Sequence, residues 1–118
     1  VSLDVKEGHG GSPYLVVPPD RPNSQSDQSP TLTQAFRAAH SAISDVFGKP
    51  PLYLREGGSI PIVADLKNAA SLDSLMLGFV TPSDSIHAPN ESFNLDLMGK
   101  AIDATERILA SIANSREN

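Results

Sequence analysis

Several residue types are missing or scarce in this chain, and each absence excludes a class of protein. The 118 residues contain no cysteine, which excludes a disulfide scaffold and a thiolate zinc site among them. Lysine and arginine form no cluster and the net charge is −5, so non-specific binding to nucleic acid is not expected. No apolar run approaches the roughly 18 residues of a membrane-spanning helix. The lack of cysteine fits the cytoplasm, and we expect no membrane partner.

The hydrophobic pattern predicts alternating strands and helices. Alternating or continuous apolar runs predict strands at residues 1–5, 14–17, 52–54 and 75–80. Helical spacing and capping residues predict three helices: one from Ser29 or Thr31 to Gly48, a second over about 60–70, and a third from Asn94 or Asp96 onward. The polar segment 18–30 predicts an exposed loop. This order predicts an α/β fold, with a mixed, largely parallel sheet and flanking helices.

Apolar stripes predict which helix faces are buried. In the first helix the stripe is Leu32, Ala35, Phe36, Ala39, Ile43, Val46 and Phe47. In the last helix it is Met98, Ala101, Ile102, Ile108, Leu109 and Ile112. Since the chain begins inside a strand pattern, we expect partner strands upstream and a sheet that is incomplete without the rest of the protein.

One candidate site is the loop that contains His87, directly after the apolar run 75–80. Ligand sites in open α/β sheets lie beyond the carboxyl ends of strands, and a neutral imidazole nitrogen binds zinc. Neighbouring Asp84, Asn90 and Glu91 are suited to orient the ring. The alternative is a loop histidine in a turn or in solvent, because a single histidine does not make a metal site.

A second candidate is the segment Arg55-Glu56-Gly57-Gly58-Ser59-Ile60-Pro61. The glycines allow a close backbone approach, and a helix start presents free N–H groups to an anion. The Arg55 guanidinium can bind a carboxylate through two hydrogen bonds. The alternative is a tight turn in which Ser59 caps the following helix. A serine nucleophile is not expected, because Pro61 stands where the nucleophile elbow requires glycine.

The sequence around the other two histidines indicates different roles for them. His9 lies between glycines, Gly8 and Gly10, which leaves its ring open to a ligand or a developing oxyanion. The alternative for His9 is a flexible turn without a chemical role. His40 lies on the polar side of the first helix, so we expect it to be a surface residue.

These motifs occur in an order that resembles a known family. The order is G-H-G-G, a helix ending in F-G-x-x-P, the string R-E-G-G-S-I-P, and then H-x-x-N-E. It is similar to the C-terminal portion of the carnosinase and cytosolic dipeptidase family of di-zinc metallopeptidases. The resemblance covers residues 1 to about 113. It implies that residues 1–11 end a lid or dimerisation domain and that residues 12–118 form the C-terminal part of a zinc-aminopeptidase-like catalytic domain.

The resemblance also implies roles for individual residues. His87 matches the last zinc ligand of the family, while His9, Arg55, Gly58 and Ser59 match positions near the substrate. The family binds two zinc ions per full-length subunit, with manganese as a substitute, and a metal-activated water attacks the peptide bond. The other ligands and the general base lie in an N-terminal segment, so no catalytic residue is expected in this chain.

The resemblance leaves three functions open. The first is a dipeptide- or short-peptide-hydrolysing enzyme, homodimeric at full length, of which this chain is an inactive part. The second is an N-acyl amino acid deacylase of the same family. The third is a non-catalytic binding or assembly module.

Overall fold

This computed structural model describes residues 2–6, 14–18, 29–55 and 60–115. In these ranges the chain forms helices α1 (Pro30–Phe47), α2 (Pro61–Ala70) and α3 (Leu95–Asn114), with a short 3₁₀ turn at Pro82–Asp84. The chain divides into two compact units. The first consists of Val1–Val16 and Leu54–Ser74 and contains α2, and the second consists of Val17–Tyr53 and Leu75–Asn118 and contains α1 and α3. None of the helices in the described ranges is long and apolar enough to cross a bilayer.

The predicted α/β fold with a mixed sheet is wrong. No β-strand occurs in the described part of the chain, although the segments 2–6, 14–18, 51–55 and 71–80 are not helical. A strand is defined by backbone hydrogen bonds to a neighbouring strand, and these segments have no such neighbour among the described residues. Part of the apolar run 75–80 covers helices instead. Leu75 packs against the helical core, and the Phe79 ring stacks on Phe47 with centroids 5.9 Å apart.

The ends of α1 follow from local sequence. The Ser29 hydroxyl accepts a hydrogen bond from the Leu32 N–H at 3.2 Å, and proline occupies the first helical position. At the other end Gly48 has a left-handed conformation (φ 69°), and its N–H donates to the Ser44 carbonyl at 2.9 Å. The predicted start at Ser29 and the predicted cap at Gly48 are both confirmed.

Gly48 provides the first testable prediction. Replacing Gly48 by alanine is expected to lower the free energy of unfolding by about 1 kcal/mol, because a side chain disfavours positive φ. A Cβ at this position meets no atom within 4 Å, so the loss comes from backbone strain alone. Gly99→Ala is the matched control: it lies inside α3, a Cβ there also meets nothing, and alanine should stabilise the helix by about 0.5–1 kcal/mol. Urea unfolding measures both, and changes of the same sign would contradict the prediction.

The core of the second unit lies between α1 and α3. It is formed by Ala38, Ala39 and Ala42 of α1 and by Ile108 of α3. Ile43, Leu75 and Ile112 pack against these residues and are partly buried. Ile108 is the largest of the four buried side chains in this cluster. The predicted stripe of α1 is confirmed in its members Leu32, Phe36 and Ala39, which are buried.

The predicted stripe of α3 is only partly confirmed. Ile108 is buried, but Met98, Ile102 and Leu109 are exposed, and Ala104, which the prediction omitted, has no exposed surface. The exposed residues and the buried pair Ala104 and Ile108 both recur at helical spacing. Periodicity alone therefore cannot show which of the two adjacent apolar faces of α3 contacts α1. We call the exposed set Met98, Ile102 and Leu109 the outer face of α3.

In the first unit, α2 buries Val63 and Ala64. Its C-terminal side is tied to the chain that follows, since Lys67 Nζ donates to Asp73 Oδ1 at 2.6 Å. This hydrogen bond raises the pKa of the Lys67 ammonium. The neighbouring Ser74 N–H donates to the Tyr14 hydroxyl at 3.2 Å, which connects the two chain segments of this unit.

Candidate functional site

The loop that contains His87 begins with a short capped turn. Thr81 is extended, and the turn Pro82–Asp84 follows it. The Asp84 side chain folds back, so its Oδ2 atom accepts hydrogen bonds from the Thr81 N–H at 2.6 Å and from the Thr81 hydroxyl at 3.0 Å. Asp84 is 4% exposed. Among the described residues, it is the one polar or charged residue that is buried. Its two hydrogen bonds offset the loss of hydration on burial.

Backbone hydrogen bonds then close the loop. The Ser92 N–H donates to the Asp84 carbonyl at 3.0 Å, which brings the two ends of segment 84–92 together. Inside the loop, the Ala88 N–H donates to the Ser85 carbonyl at 3.0 Å and the Glu91 N–H donates to the Ala88 carbonyl at 3.3 Å. Segment 84–92 is therefore a compact turn structure held by its own backbone, and we call it the His87 loop.

Three residues of the His87 loop have left-handed backbones. Ser85, His87 and Asn90 have φ values of 53°, 61° and 62°. Positive φ is uncommon outside glycine, although asparagine and histidine adopt it more readily than most residues. Such conformations persist where surrounding contacts fix them, and they cluster at functional sites. Here the contacts that fix them are the closing hydrogen bonds of the loop.

The His87 side chain is exposed and makes no hydrogen bond to another described residue. Its imidazole is thus accessible as a nitrogen donor, which suits a zinc ligand. Asp84, proposed from sequence to orient the ring, directs its carboxylate to Thr81 instead. Asn90 and Glu91 also make no hydrogen bond to the ring in the described chain.

The described residues contain no group of three or more His, Cys, Asp or Glu side chains that could hold a metal ion. A protein zinc site needs three or four ligands. The donor chemistry of His87 suits one ligand position, and the described residues do not supply a complete set of ligands.

The second candidate segment is only partly described. Arg55 is exposed and belongs to the first unit, while His87 belongs to the second. His9, Gly58 and Ser59 lie outside the described residues, so their substrate-binding roles stay predictions. Helix α2 begins at Pro61 with Ile60 at its N-cap, and Ile60 makes no side-chain capping bond.

Sequence reasoning missed an aromatic contact at His40. The residue is exposed, as predicted, but its Nδ1 atom lies 3.0 Å from the Tyr53 hydroxyl, and the two rings are nearly parallel. They border an open groove of about 450 Å³ lined by Phe36, Arg37, His40, Ser41, Ser44, Asp45 and Tyr53. Nothing in the sequence pairs His40 with Tyr53, because the turn at Gly48 separates them. The Thr81–Asp84 pair did have a signal, since T-P-S-D is a capping pattern.

The chain resembles the dipeptidase-like metallopeptidases, and comparison with curated proteins confirms this resemblance. Over 67 residues it is 34% identical to the Cys-Gly metallodipeptidase DUG1 of Candida albicans, an alignment covering 57% of this chain and 14% of that protein. Over 83 residues it is 31% identical to the Cys-Gly metallodipeptidase DUG1 of Saccharomyces cerevisiae, covering 70% of this chain and 17% of that protein. The chain thus spans less than a fifth of the length of these relatives. No family model matches it, and no solved structure does.

Proposed function

We propose that this chain is the C-terminal portion of a zinc-dependent metallopeptidase that hydrolyses dipeptides or short peptides, and that it is inactive alone. The observation that carries the proposal is the exposed His87 imidazole on a closed loop, in a chain similar to metallodipeptidases. A histidine side chain that is free of other partners is available to a metal.

In this proposal each candidate residue has a separate task. His87 supplies one nitrogen ligand to one of two zinc ions, or of two manganese ions. Arg55, with the backbone of Gly58 and the hydroxyl of Ser59, binds the carboxylate end of the substrate, and His9 faces the scissile carbonyl. A bound zinc pair supplies an activated water and polarises the carbonyl. The general base and the remaining ligands belong to the rest of the protein.

We also propose a domain organisation and a cellular location for the full-length protein. Residues 1–11 end the lid or dimerisation domain, residues 12–118 belong to the catalytic domain, and the full-length protein is a homodimer. A cytoplasmic location agrees with the absence of cysteine from these 118 residues.

Experiment can distinguish the peptidase from two alternatives. A deacylase of the same family would act on N-acyl amino acids instead of peptides. A non-catalytic module would show neither activity and would have lost the upstream ligands. The names of the two relatives support the peptidase over both alternatives.

A substrate panel tests the proposal on the full-length protein. We expect kcat/KM for dipeptides, with Cys-Gly among them, to exceed that for N-acetyl amino acids by about 10-fold or more. A factor of ten corresponds to about 1.4 kcal/mol of differential transition-state binding. Chelation should abolish hydrolysis and zinc should restore it. A preference for N-acetyl substrates would favour the deacylase. Unchanged activity after verified metal removal would reject metal dependence.

A further inference from the structure

Asp84 is linked to both ends of the His87 loop. Its carboxylate accepts two hydrogen bonds from Thr81, which fixes the entry to the loop. Its backbone carbonyl accepts the Ser92 N–H, which fixes the exit. One residue therefore determines where the loop starts and where it closes.

The burial of Asp84 explains why its side chain matters. The Asp84 side chain is only 4% exposed, and Thr81 donates two hydrogen bonds to one of its oxygens, which compensates for the lost contact with water. Removing the carboxylate leaves the Thr81 N–H without its acceptor, so the turn Pro82–Asp84 loses its cap. The position of the Asp84 carbonyl, and with it the Ser92 contact, is then no longer fixed.

The loop backbone gives a reason why closure affects His87. Ser85, His87 and Asn90 all have positive φ, a backbone conformation that is less favourable for non-glycine residues. This conformation persists only while the loop is held closed. An open loop would let His87 return to an ordinary backbone conformation, which redirects its imidazole.

We propose that Asp84 is a positioning residue whose buried contact with Thr81 keeps the His87 loop closed and so holds the His87 imidazole in the orientation that binds metal. This inference rests on the proposed role of His87 as a ligand. Asp84 does not touch the metal or the substrate in this proposal. It acts through the backbone of the loop, unlike the usual carboxylate that accepts a hydrogen bond from the ligand ring.

The test compares Asp84→Ala with Asp84→Asn in the full-length protein. In Asp84→Ala the metal-free protein should exchange the amide hydrogens of residues 85–92 at least about 10-fold faster, and zinc affinity should fall by about 10–100-fold, as for lost supporting contacts at metal sites. Asp84→Asn keeps an oxygen acceptor for the Thr81 N–H, so both values should recover to within about 3-fold. Asp96→Ala, an exposed aspartate at the start of α3, is the matched control and should change neither.

The outcomes separate this inference from the proposed function. If His87→Asn removes zinc while Asp84→Ala leaves zinc affinity unchanged, the positioning role is wrong and the proposed function stands. If His87→Asn leaves zinc bound at full affinity, both are wrong. Should Asp84→Ala fail to fold, Thr81→Val is measured in its place, since it removes the hydroxyl bonds to Asp84 and Ser83 but keeps the Thr81 N–H bond to Asp84. Faster exchange of 85–92 with weaker zinc binding supports the inference, and no change in either overturns it.

Discussion

Replacing His87 by asparagine in the full-length protein is expected to weaken zinc binding by at least about 100-fold, because the loss of a direct ligand exceeds the 10–100-fold loss seen for supporting contacts. Hydrolysis at limiting zinc should fall with the occupancy of the site, and a 100-fold loss of affinity corresponds to about 2.7 kcal/mol of metal-binding free energy. Asparagine is chosen because it tolerates the left-handed backbone found at this position (φ 61°), so the loop need not refold. Zinc titration followed by mass spectrometry of bound metal measures the effect.

The control for this experiment is His40→Asn. His40 is also an exposed histidine of the second unit, but it lies on α1 and contacts the Tyr53 hydroxyl. Its replacement should lower helix stability by a few tenths of a kcal/mol and leave zinc affinity unchanged. If His87→Asn retained its metal as well as His40→Asn does, His87 would be a turn residue in solvent, which is the alternative that the sequence left open.

The helices of this protein could be predicted because their signals are local. Ser29 with Pro30 marks the start of α1, Gly48 marks its end, and Asn94 starts α3 by accepting the Leu97 N–H at 3.0 Å. Each signal involves residues within one turn of each other, so the sequence alone contains the whole interaction. The bounds of α1 and α2 and the start of α3 agree closely with the predicted ones.

The strands could not be predicted in the same way, because a strand depends on a partner that is distant in sequence. The run 75–80 is apolar enough for a buried strand, yet Leu75 and Phe79 contact the helical core instead. A short apolar run carries no information on whether it covers a helix pair or joins a sheet. The α/β prediction failed on this point.

The candidate site also combines features that the sequence predicts with features that it does not. The position of His87 in a polar loop after an apolar run could be predicted from the sequence, and T-P-S-D is a local capping signal for the turn at the start of that loop. The positive φ values of Ser85 and His87 could not be predicted, because neither residue is glycine and no turn motif demands them. The closure of the loop by Ser92 was equally hidden, since the contact spans eight residues and uses only backbone atoms.

Ile108 provides the second large expected effect. Replacing Ile108 by alanine should lower the free energy of unfolding by about 3 kcal/mol, within the 2–5 kcal/mol range for removing a large aliphatic side chain from a core. Ile108 is 4% exposed, and its neighbours in the core are the alanines Ala38, Ala39 and Ala42. The three alanine side chains have no rotamers with which to fill the space, so the cavity can shrink only through shifts of the partly buried Ile43, Leu75 and Ile112. Urea unfolding of the full-length protein measures the change.

Leu109→Ala is the matched control, because it removes a similar volume from the next position of α3. Leu109 is 63% exposed, so its loss should change the free energy of unfolding by no more than about 0.5 kcal/mol. The comparison also tests the outer face of α3, formed by Met98, Ile102 and Leu109. A loss at Leu109 as large as that at Ile108 would contradict the prediction and would mean that the outer face is buried in the full-length protein by residues outside the described ranges. Unequal losses would confirm that the face of α3 that contains Ile108, which packs on α1, contributes more to stability than the outer face.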